Sequence, residues 1–424
     1  MGPIIPVVLL LLLGAPVAFV LLAAALVYYI TSPQPAMIVA QRTVAGLESF
    51  PLLAIPFFIL AGTIMARGGI AQALLGFADA LVGHRRGGLG QVNVLNSLMM
   101  GGMSGSAIAD GATDAKVLVP VMIRNGYPLA FSSALSAATG VIAPIIPPGI
   151  GMILYGLVAQ VSVGRLFLGG VIPGLLLALA LMAAVSVISR RRNYGAARDR
   201  RLPWNETRTR FTTAIPALMM PLLLIFGLRL GIFTPTELGA MAVVYALVVG
   251  MFFYRDIAAR ELLDVLGEAV RANAVVMLIL AAGAAFATVI TIERVPQSVA
   301  EVVLGVSENP IVILLIINVM LLVLGMFLDG ITLLVVLTPV LALTAGSLGV
   351  DPIHFGVLMV VNLTIGGITP PLGIVIFTVV GITKADVSST FREMLPFVAA
   401  TVVVLLLITY VPELVLWLPR LMMG

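Results

Sequence analysis

Two stretches of this sequence share one layout: RNGYPLAFSSALSAATGVIAPIIPPG at residues 124–149 and SLGVDPIHFGVLMVVNLTIGGITPPLG at residues 347–373. Each begins with a glycine and a proline-bearing turn, and each continues as an apolar helix that a glycine- and proline-rich segment interrupts. Proline lacks a backbone N–H and blocks the helix, so each interruption frees backbone carbonyls. Repeated halves with helices interrupted at matching positions are typical of secondary transporters and indicate where their binding sites lie. The pattern predicts two related halves around one site.

The composition is that of a multi-pass membrane protein. Of the 424 residues, 61% are hydrophobic and 10% are charged, and a helix needs about 20 apolar residues to cross a bilayer. The chain has no cysteine, which excludes disulfides and thiolate metal sites. It has no GxxxxGK[ST] motif, so any pumping must use an ion gradient or a partner. The clearest candidate spans are residues 4–30, 50–66, 164–189, 212–230, 236–254, 272–291 and 395–418.

A basic linker, residues 189–210, joins the first half, residues 1–188, to the second half, residues 211–424. The linker has eight arginines against two acidic residues, so the positive-inside rule predicts that it is cytoplasmic. An inverted repeat needs an odd number of crossings per half, which would leave both termini outside. The basic cluster 84–86 would then also lie outside, against the charge rule. Residues 255–271 mix charged and apolar positions and predict an amphipathic helix lying in the interface.

Each half also contains a segment that reads poorly as a single span and predicts a re-entrant helical hairpin. In residues 92–123, the apolar part before the small-residue motif GGMSGS is too short to cross, and the part after it carries charged residues. In residues 311–347, the part 311–328 alone could cross the membrane. The hairpin interpretation of this segment therefore depends on the requirement for an odd number of crossings in each half. The broken helices are predicted at about 129–160 and 353–383. Irregular backbone at membrane depth is tolerated where it lines a cavity, so these elements predict one central, polar-lined site.

The GGMSGS tip offers groups that suit both an anion and a cation. Ser104 and Ser106 supply hydroxyls, and a helix that starts near Ser106 directs its partially positive N-terminus at the site, which suits a carboxylate. The carbonyls freed at the preceding helix end suit sodium. The alternative is that GGMSGS only allows helices to pack closely. The first predicted sodium site consists of Ser104, Gly105, Asp110, Thr139, Gly140 and Pro144.

The second tip, in the sequence VLGMFLDGIT, predicts an equivalent site in the second half. Carbonyls and hydroxyls with little formal charge are ligands for hard cations. An aspartate within a membrane segment is a functional candidate by default, but Asp329 could instead cap the helix that follows it. The substrate is predicted to bind between the tips at Ser104, Ser106, Thr139 and Asn362. The second predicted sodium site consists of Gly325, Asp329, Gly366, Thr369 and Pro370.

The remaining polar residues predict structural roles. His84 and His354 occupy loop-like positions and are expected to be surface residues rather than metal ligands. Asp114, Lys116 and Arg124 are expected to line the exit of the first hairpin to water. The sequence FTPTE, residues 233–237, predicts a helix start capped by Thr234 or Thr236. Paired membrane aspartates also occur in intramembrane aspartyl proteases, but the GxGD motif of those enzymes is absent, so no enzymatic activity is expected.

These motifs together resemble the large membrane subunit of TRAP transporters, the DctM-like family of tripartite ATP-independent periplasmic transporters. The resemblance runs the full length of the chain. One departure occurs after MSGSAIAD, where such proteins usually continue with small apolar residues and this chain has GATDAK; Asp114 and Lys116 could pair or alter the access path. The matching motifs are VAQRTVAGLESFPLLAIPFFILAG (39–62), GHRRGGLGQVNV (83–94), MSGSAIAD (103–110), IAPIIPPGIGMILYG (142–156), GIFTPTELGAMAVVYALVVG (231–250), GMFLDG (325–330), DPIHFGVLMVVNLTIGGITPPLG (351–373) and LLITYVPEL (406–414).

The resemblance implies an elevator-type transport module in the bacterial inner membrane, with a mobile domain built from both hairpins and both broken helices. It implies three kinds of partner: a separate small four-helix membrane subunit, a periplasmic substrate-binding protein, and an organic acid such as a C4-dicarboxylate, sialic acid or a sugar acid. Sodium would be the coupling ion, with no other cofactor and no nucleic-acid partner. The alternative is a stand-alone ion-coupled carrier or antiporter with a similar two-hairpin fold.

Overall fold

The computed structural model describes residues 10, 15–67, 69–198, 200–295, 297–298, 301, 305 and 309–424. Regular secondary structure in these residues is entirely helical, which confirms the predicted all-α multi-pass class. Within the described residues, seven helices are long and apolar enough to cross a bilayer, or eight if the bent pair Met37–Ala45 and Phe50–Ala66 forms one span. Part of the first predicted span, residues 4–9 and 11–14, lies outside this range.

The described helices fall into two series with similar landmarks. The same sequence offset separates Gly126 from Gly349, Thr139 from Asn362 and Pro147 from Pro370. The helices before the linker are α1 (Val17–Thr31), α2 (Met37–Ala45), α3 (Ala54–Arg67), α4 (Ile70–Val82), α5 (Gly88–Ser104), α6 (Ala107–Arg124), α7 (Leu129–Thr139), α8 (Ile150–Val158) and α9 (Val163–Arg191). Those after it are α10 (Trp204–Arg229), α11 (Pro235–Val248), α12 (Leu262–Ile292), α13 (Pro310–Phe327), α14 (Gly330–Ser347), α15 (Pro352–Gly366), α16 (Ile374–Thr383), α17 (Val387–Tyr410) and α18 (Glu413–Met423).

Two helix pairs occupy the segments predicted as hairpins, and each pair is joined by only two residues. Gly105 and Ser106 connect α5 to α6, and Leu328 and Asp329 connect α13 to α14. Most of the GGMSGS motif is therefore still helical, because α5 continues through Ser104. The turn needs small or capping residues: Gly105 has a left-handed φ of 58°, a conformation that glycine adopts without steric cost.

The two broken helices are interrupted at corresponding places. After α7, a short 3₁₀ turn over Gly140–Ile142 leads into residues 143–149, and α8 follows. After α15, residues 367–373 separate it from α16. Each interruption contains one cis Pro–Pro peptide bond. The prolines lack the N–H that would continue the helix, so both interruptions follow directly from the sequence.

One apolar core runs through both halves, so they pack together rather than forming separate domains. Tyr155 of α8 donates its hydroxyl hydrogen to the Pro352 carbonyl, 3.1 Å away, at the start of α15. Gly356 makes room for the Tyr155 ring, since a Cβ at Gly356 would lie 2.3 Å from a ring carbon. Phe131 of α7 similarly lies against Phe397 of α17, with ring centroids 5.9 Å apart.

The basic linker is docked against the first half of the chain. Its backbone pairs with the turn before α5: the Gly87 N–H donates to Gly195, and the Ala197 N–H donates to Gly83. The Arg210 guanidinium lies 2.7 Å from the Asp79 carboxylate. Helices α9 and α10 also extend into the predicted linker, leaving residues 192–198 and 200–203 as its described non-helical part.

Two predicted element boundaries are wrong. The predicted interfacial helix at residues 255–271 is not separate, because α12 runs unbroken over Leu262–Ile292. The predicted span 395–418 is divided at Val411, where α17 has ended and α18 has yet to begin. Proline at position 412 has no N–H for the hydrogen bond that would continue α17, which accounts for the division.

Local polar contacts confirm one prediction and contradict another. Thr234 caps α11 in a capping box with Glu237, as the FTPTE sequence predicts. His354 is not a surface residue: it is 2% exposed, and its Nε2 lies 2.8 Å from the Ile408 carbonyl oxygen. This contact ties α15 to α17. His84 is half-buried beside the linker, where the Arg201 Nε donates to its Nε2 at 3.0 Å.

The side of the membrane that the linker occupies can be measured with single cysteines in this cysteine-free chain. Asn205 and Ile232 are both exposed and lie near opposite ends of α10. Because basic loops stay in the cytoplasm, N205C should resist an impermeant thiol reagent added outside right-side-out vesicles. I232C should be labelled rapidly and serves as the control. Rapid labelling at position 205 would contradict the proposed orientation.

Candidate functional site

A single cleft lies where both hairpin turns meet both broken helices. Its volume is about 690 Å³, measured out to its open mouth. Gly105 and Ser106 contribute the first turn, and Leu328, Asp329 and Gly330 contribute the second. Pro144 and Gly367 contribute the irregular segments of the two broken helices. These elements come from four distant parts of the sequence.

The first turn is held against the first broken helix by backbone contacts. The Ile150 N–H, at the start of α8, donates to the Gly105 carbonyl oxygen at 3.3 Å. A Cβ at Gly105 would lie 2.4 Å from the Pro148 carbonyl oxygen. Ser106 caps α6, because its Oγ accepts a hydrogen bond from the Ala109 N–H at 3.4 Å. The close approach leaves no room for a side chain at Gly105.

The second turn makes equivalent contacts with the second broken helix. The Gly373 N–H, just before α16, donates to the Met326 carbonyl oxygen at 3.1 Å. The Asp329 Oδ2 accepts hydrogen bonds from the N–H groups of Ile331 and Thr332 at 3.1 and 3.2 Å. Asp329 therefore caps α14, the role that the sequence offered as the alternative to cation binding. Asp329 also lines the cleft.

Glycines allow the helices behind each turn to touch the interruptions backbone to backbone. A Cβ at Gly101 would lie 2.9 Å from the Cα of Ala143. In the second half, a Cβ at Gly366 would lie 2.7 Å from the Cα of Gly325. Real Cβ atoms do not approach backbone so closely, so a side chain at these positions would force the elements apart.

The first residues of four helices face the cleft, and this decides its electrostatics. Ser106–Ile108 begin α6, Ile150 and Gly151 begin α8, Gly330 and Ile331 begin α14, and Ile374 and Val375 begin α16. Helix N-termini carry partial positive charge and free N–H groups. The residues lining the cleft in the described part of the chain include no lysine or arginine. An anion in the cleft would therefore be held by backbone dipoles and hydroxyls.

The predicted site residues divide into those that line the cleft and those that lie behind it. Gly105, Ser106, Pro144 and Asp329 line it. The others lie in the surrounding helices or in the interruptions. Gly140, Gly325 and Gly366 provide close backbone contacts, and Thr369 donates its hydroxyl to the Ile365 carbonyl. The residues behind the cleft are Ser104, Asp110, Thr139, Gly140, Asn362, Gly325, Gly366, Thr369 and Pro370.

Thr139 and Asn362, predicted to bind substrate, are fully buried. Each is hydrogen-bonded to an asparagine in the first helix of the hairpin of its own half, α5 or α13. The Thr139 hydroxyl donates to Asn93 Oδ1 at 2.9 Å. Asn362 Nδ2 donates to Asn318 Oδ1 at 2.8 Å. Each bond ties a broken helix to the hairpin of its own half. Asn93 and Asn318 were not predicted, although an amide inside an apolar helix is a signal that could have found them.

Asp110 and Asp114 lie together inside the first hairpin. Both are 1% exposed, and Asp114 is hydrogen-bonded by Asn96 and Ser97 of α5. The prediction that Asp114 lines an exit to water is wrong, because its side chain lies on the face of α6 that packs against α5. Lys116 and Arg124, in contrast, are exposed.

The cleft walls are mostly apolar, which the sequence reasoning missed. Apolar side chains from the second half, among them Leu334, Val360 and Leu363, face Ile108 across the cleft. Thr364 also lines it, but its hydroxyl donates to the Val360 carbonyl within α15. Helix periodicity alone does not separate these residues from ordinary core positions.

Comparison with known proteins identifies the family. The family model "Tripartite ATP-independent periplasmic transporter, DctM component" matches residues 4–414. The chain belongs to this family. The predicted resemblance is thereby confirmed, and the chain is a multi-pass protein of the bacterial inner membrane, a large permease subunit of this transporter class.

Two similar relatives carry TRAP transporter names. The sialic acid TRAP transporter large permease protein SiaM of Vibrio cholerae is 38% identical over 98% of this chain and 97% of that protein. The isethionate TRAP transporter permease protein DctMQ of Oleidesulfovibrio alaskensis is 39% identical over 95% of this chain. This chain spans only 64% of the length of that second relative.

A solved structure extends the fold comparison beyond the family. The crystal structure of the Alcanivorax borkumensis YdaH transporter matches with a TM-score of 0.59, covering 86% of each chain at 15% sequence identity. At this level of identity the match concerns the fold alone. The arrangement of helices is thus one that a characterised transporter also adopts.

The backbone contact between Gly325 and Gly366 can be tested with one methyl group. Gly366→Ala should lower the melting temperature of the detergent-purified protein, since overpacking of this kind costs about 1–3 kcal/mol. Gly381→Ala in α16 is the matched control, because a Cβ there meets nothing within 4 Å. The control should be neutral or slightly stabilising. Equal melting temperatures for both variants would contradict the close contact.

Proposed function

We propose that the chain imports an organic acid together with sodium ions through the cleft between the two hairpin turns. The observation that carries the proposal is the convergence of four helix N-termini and two interrupted helices on one cleft. Discontinuous helices serve transporters in this way: their N-terminal ends attract anionic groups, and their freed carbonyls coordinate cations.

The anion end of the proposal rests on the helix N-termini, because the described lining residues include no basic side chain that could hold an anion instead. Ser106 offers a hydroxyl at the N-terminus of α6, and the Asp329 carboxylate already occupies the N-terminal N–H groups of α14. The α6 end is therefore the better anchor for a substrate carboxylate. The two relatives are named for sialic acid and isethionate, both organic anions, which supports an organic acid such as a C4-dicarboxylate, sialic acid or a sugar acid.

Sodium would bind at the carbonyl ends of the same elements. The first site is proposed at Ser104, Gly105 and the backbone of residues 139–144, and the second at residues 325–329 and the backbone of residues 366–370. Ser104 Oγ is buried and has no hydrogen-bond partner among the described residues. Uncharged oxygens of this kind suit a hard cation.

The transport cycle would move both hairpins and both broken helices as one body. The hydrogen bonds from Ile150 to Gly105 and from Gly373 to Met326 join each hairpin to its broken helix and support this division. An inverted-topology relation between the halves would let the cleft open to either side. The family description supports two further partners, a separate small membrane subunit and a periplasmic binding protein.

The complete function can be tested in proteoliposomes that contain the chain with its small subunit. Uptake of a radiolabelled organic acid should require both an inward sodium gradient and the purified binding protein. Replacing sodium with choline provides the control for ion coupling. Uptake with sodium but without the binding protein would favour a stand-alone carrier, and uptake without sodium would contradict sodium coupling.

The anion anchor can be tested at Ser106. Ser106→Ala should raise the Km for the transported acid by roughly ten- to a hundredfold, because losing a hydrogen bond to a charged group costs about 1.5–3 kcal/mol. Ser162→Ala is the matched control: Ser162 caps α9 through the same 3.4 Å bond but lies outside the cleft. An unchanged Km for Ser106→Ala, or an equal rise in both variants, would contradict the anchor.

A further inference from the structure

The first hairpin buries two acidic side chains one turn apart on the same helix. Residues four positions apart lie on one face of a helix, so Asp110 and Asp114 of α6 both face α5. Each is 1% exposed. Ser97 of α5 lies beside both carboxyl groups. Neither carboxyl lines the cleft, so the pair is separate from the proposed substrate and turn sites.

The hydrogen bonds around the two carboxyls are unequal. Asp114 accepts from Asn96 Nδ2 at 3.0 Å and from the Ser97 hydroxyl at 2.8 Å. Among the described residues, neither carboxyl oxygen of Asp110 has a hydrogen-bond partner, and Asn96 Oδ1 has none either. Asn96 as a whole is 4% exposed. Buried polar atoms are nearly always satisfied in native proteins. Three unpartnered oxygens inside one hairpin therefore indicate that a partner is missing there.

No basic side chain supplies that positive charge. The ion pairs among the described residues include neither Asp110 nor Asp114, and Lys116 of the same helix is exposed. Two hydrogen-bond donors already offset the charge of Asp114. The Asp110 carboxyl has no such donors in hydrogen-bond contact in the described part of the chain, and an isolated buried charge is strongly unfavourable. This carboxyl therefore needs either a proton or a bound cation.

The second half provides an internal comparison. At the offset that relates Thr139 to Asn362, the counterparts of Asp110 and Asp114 in α14 are Leu333 and Leu337. Leu333 is buried in the apolar core. The second hairpin therefore forms without acidic residues at these positions.

We propose that Asp110, Asp114 and the Asn96 side-chain oxygen bind one sodium ion between α5 and α6. Carboxylate and amide oxygens suit a hard cation, and one bound monovalent cation would balance one ionised carboxylate. Among the described residues there is no group of three or more His, Cys, Asp or Glu side chains that could hold a metal, which disfavours a divalent or transition metal. This assignment moves Asp110 out of the first predicted sodium site and into a separate site behind the cleft.

The position of this site would link the bound ion to the broken helix. Thr139, the last residue of α7, lies beside Asp114 and is hydrogen-bonded to Asn93 of α5. An ion between α5 and α6 would therefore stabilise the packing of the hairpin on the first broken helix. Sodium at this site would favour the compact form of the first half.

Equilibrium binding of ²²Na⁺ to the purified chain with its small subunit tests the site. The double variant Asp110→Asn, Asp114→Asn should bind one sodium ion fewer per chain than the wild type. Asp114→Asn alone should weaken one class of sites at least tenfold. Asp351→Asn is the matched control: it removes a carboxylate that caps α15, and asparagine also caps well, so it should leave binding unchanged.

A second variant protects the result against misfolding. Asp110→Leu, Asp114→Leu copies the residues of α14 and should fold, lose the same ion, and show a smaller rise in melting temperature when choline chloride is replaced with sodium chloride. Loss of one ion in both double variants supports the site even if uptake proves independent of sodium. Full ²²Na⁺ binding by both double variants would overturn the site, while sodium-coupled uptake through the turn sites would stand.

Discussion

The fold depends on satisfying backbone polar groups at places where helices stop inside a membrane. Water is absent there, so an unpaired N–H or carbonyl is costly. The two halves meet this requirement in the same way. Each broken helix donates an N–H to the hairpin of its own half, from Ile150 to Gly105 in the first turn and from Gly373 to Met326 at the end of α13. The cleft exists because these interruptions and turns stabilise one another.

This device also separates the roles of the polar residues. The first turn contributes only uncharged groups, Gly105 and Ser106, and leaves the N-terminus of α6 facing the cleft, where the proposed anion would bind without a buried arginine. The asparagines and threonines behind the cleft, such as Asn93 with Thr139, join hairpin to broken helix. Charged residues occur deeper in the first hairpin alone, where Leu333 takes the corresponding place in the second. The two halves are thus alike in backbone and different in chemistry.

The sequence was most informative where local chemistry decides the backbone. Proline pairs, the GGMSGS motif and the FTPTE capping box located the interruptions, the first turn and the start of α11. Contacts that need distant elements could not be predicted this way. His354 looks like a loop residue until α17 packs on it, and the linker looks solvated until Gly195 and Ala197 pair with the turn before α5. The mixture of charged and apolar positions in residues 255–271 likewise predicted a separate interfacial helix, because such a pattern does not show that α12 continues unbroken beyond residue 271.

The glycine contacts limit how the specificity of this protein can evolve. Gly105, Gly101 and Gly366 lie so close to neighbouring backbone that any larger residue displaces a whole element. These three glycines therefore cannot be replaced one at a time without disrupting the fold. The apolar walls at Ile108, Leu334 and Val360 carry no such restriction. Under the proposed function, a lineage that acquires a new substrate would keep its turns unchanged, and the substitutions would fall among the side chains of the cleft walls.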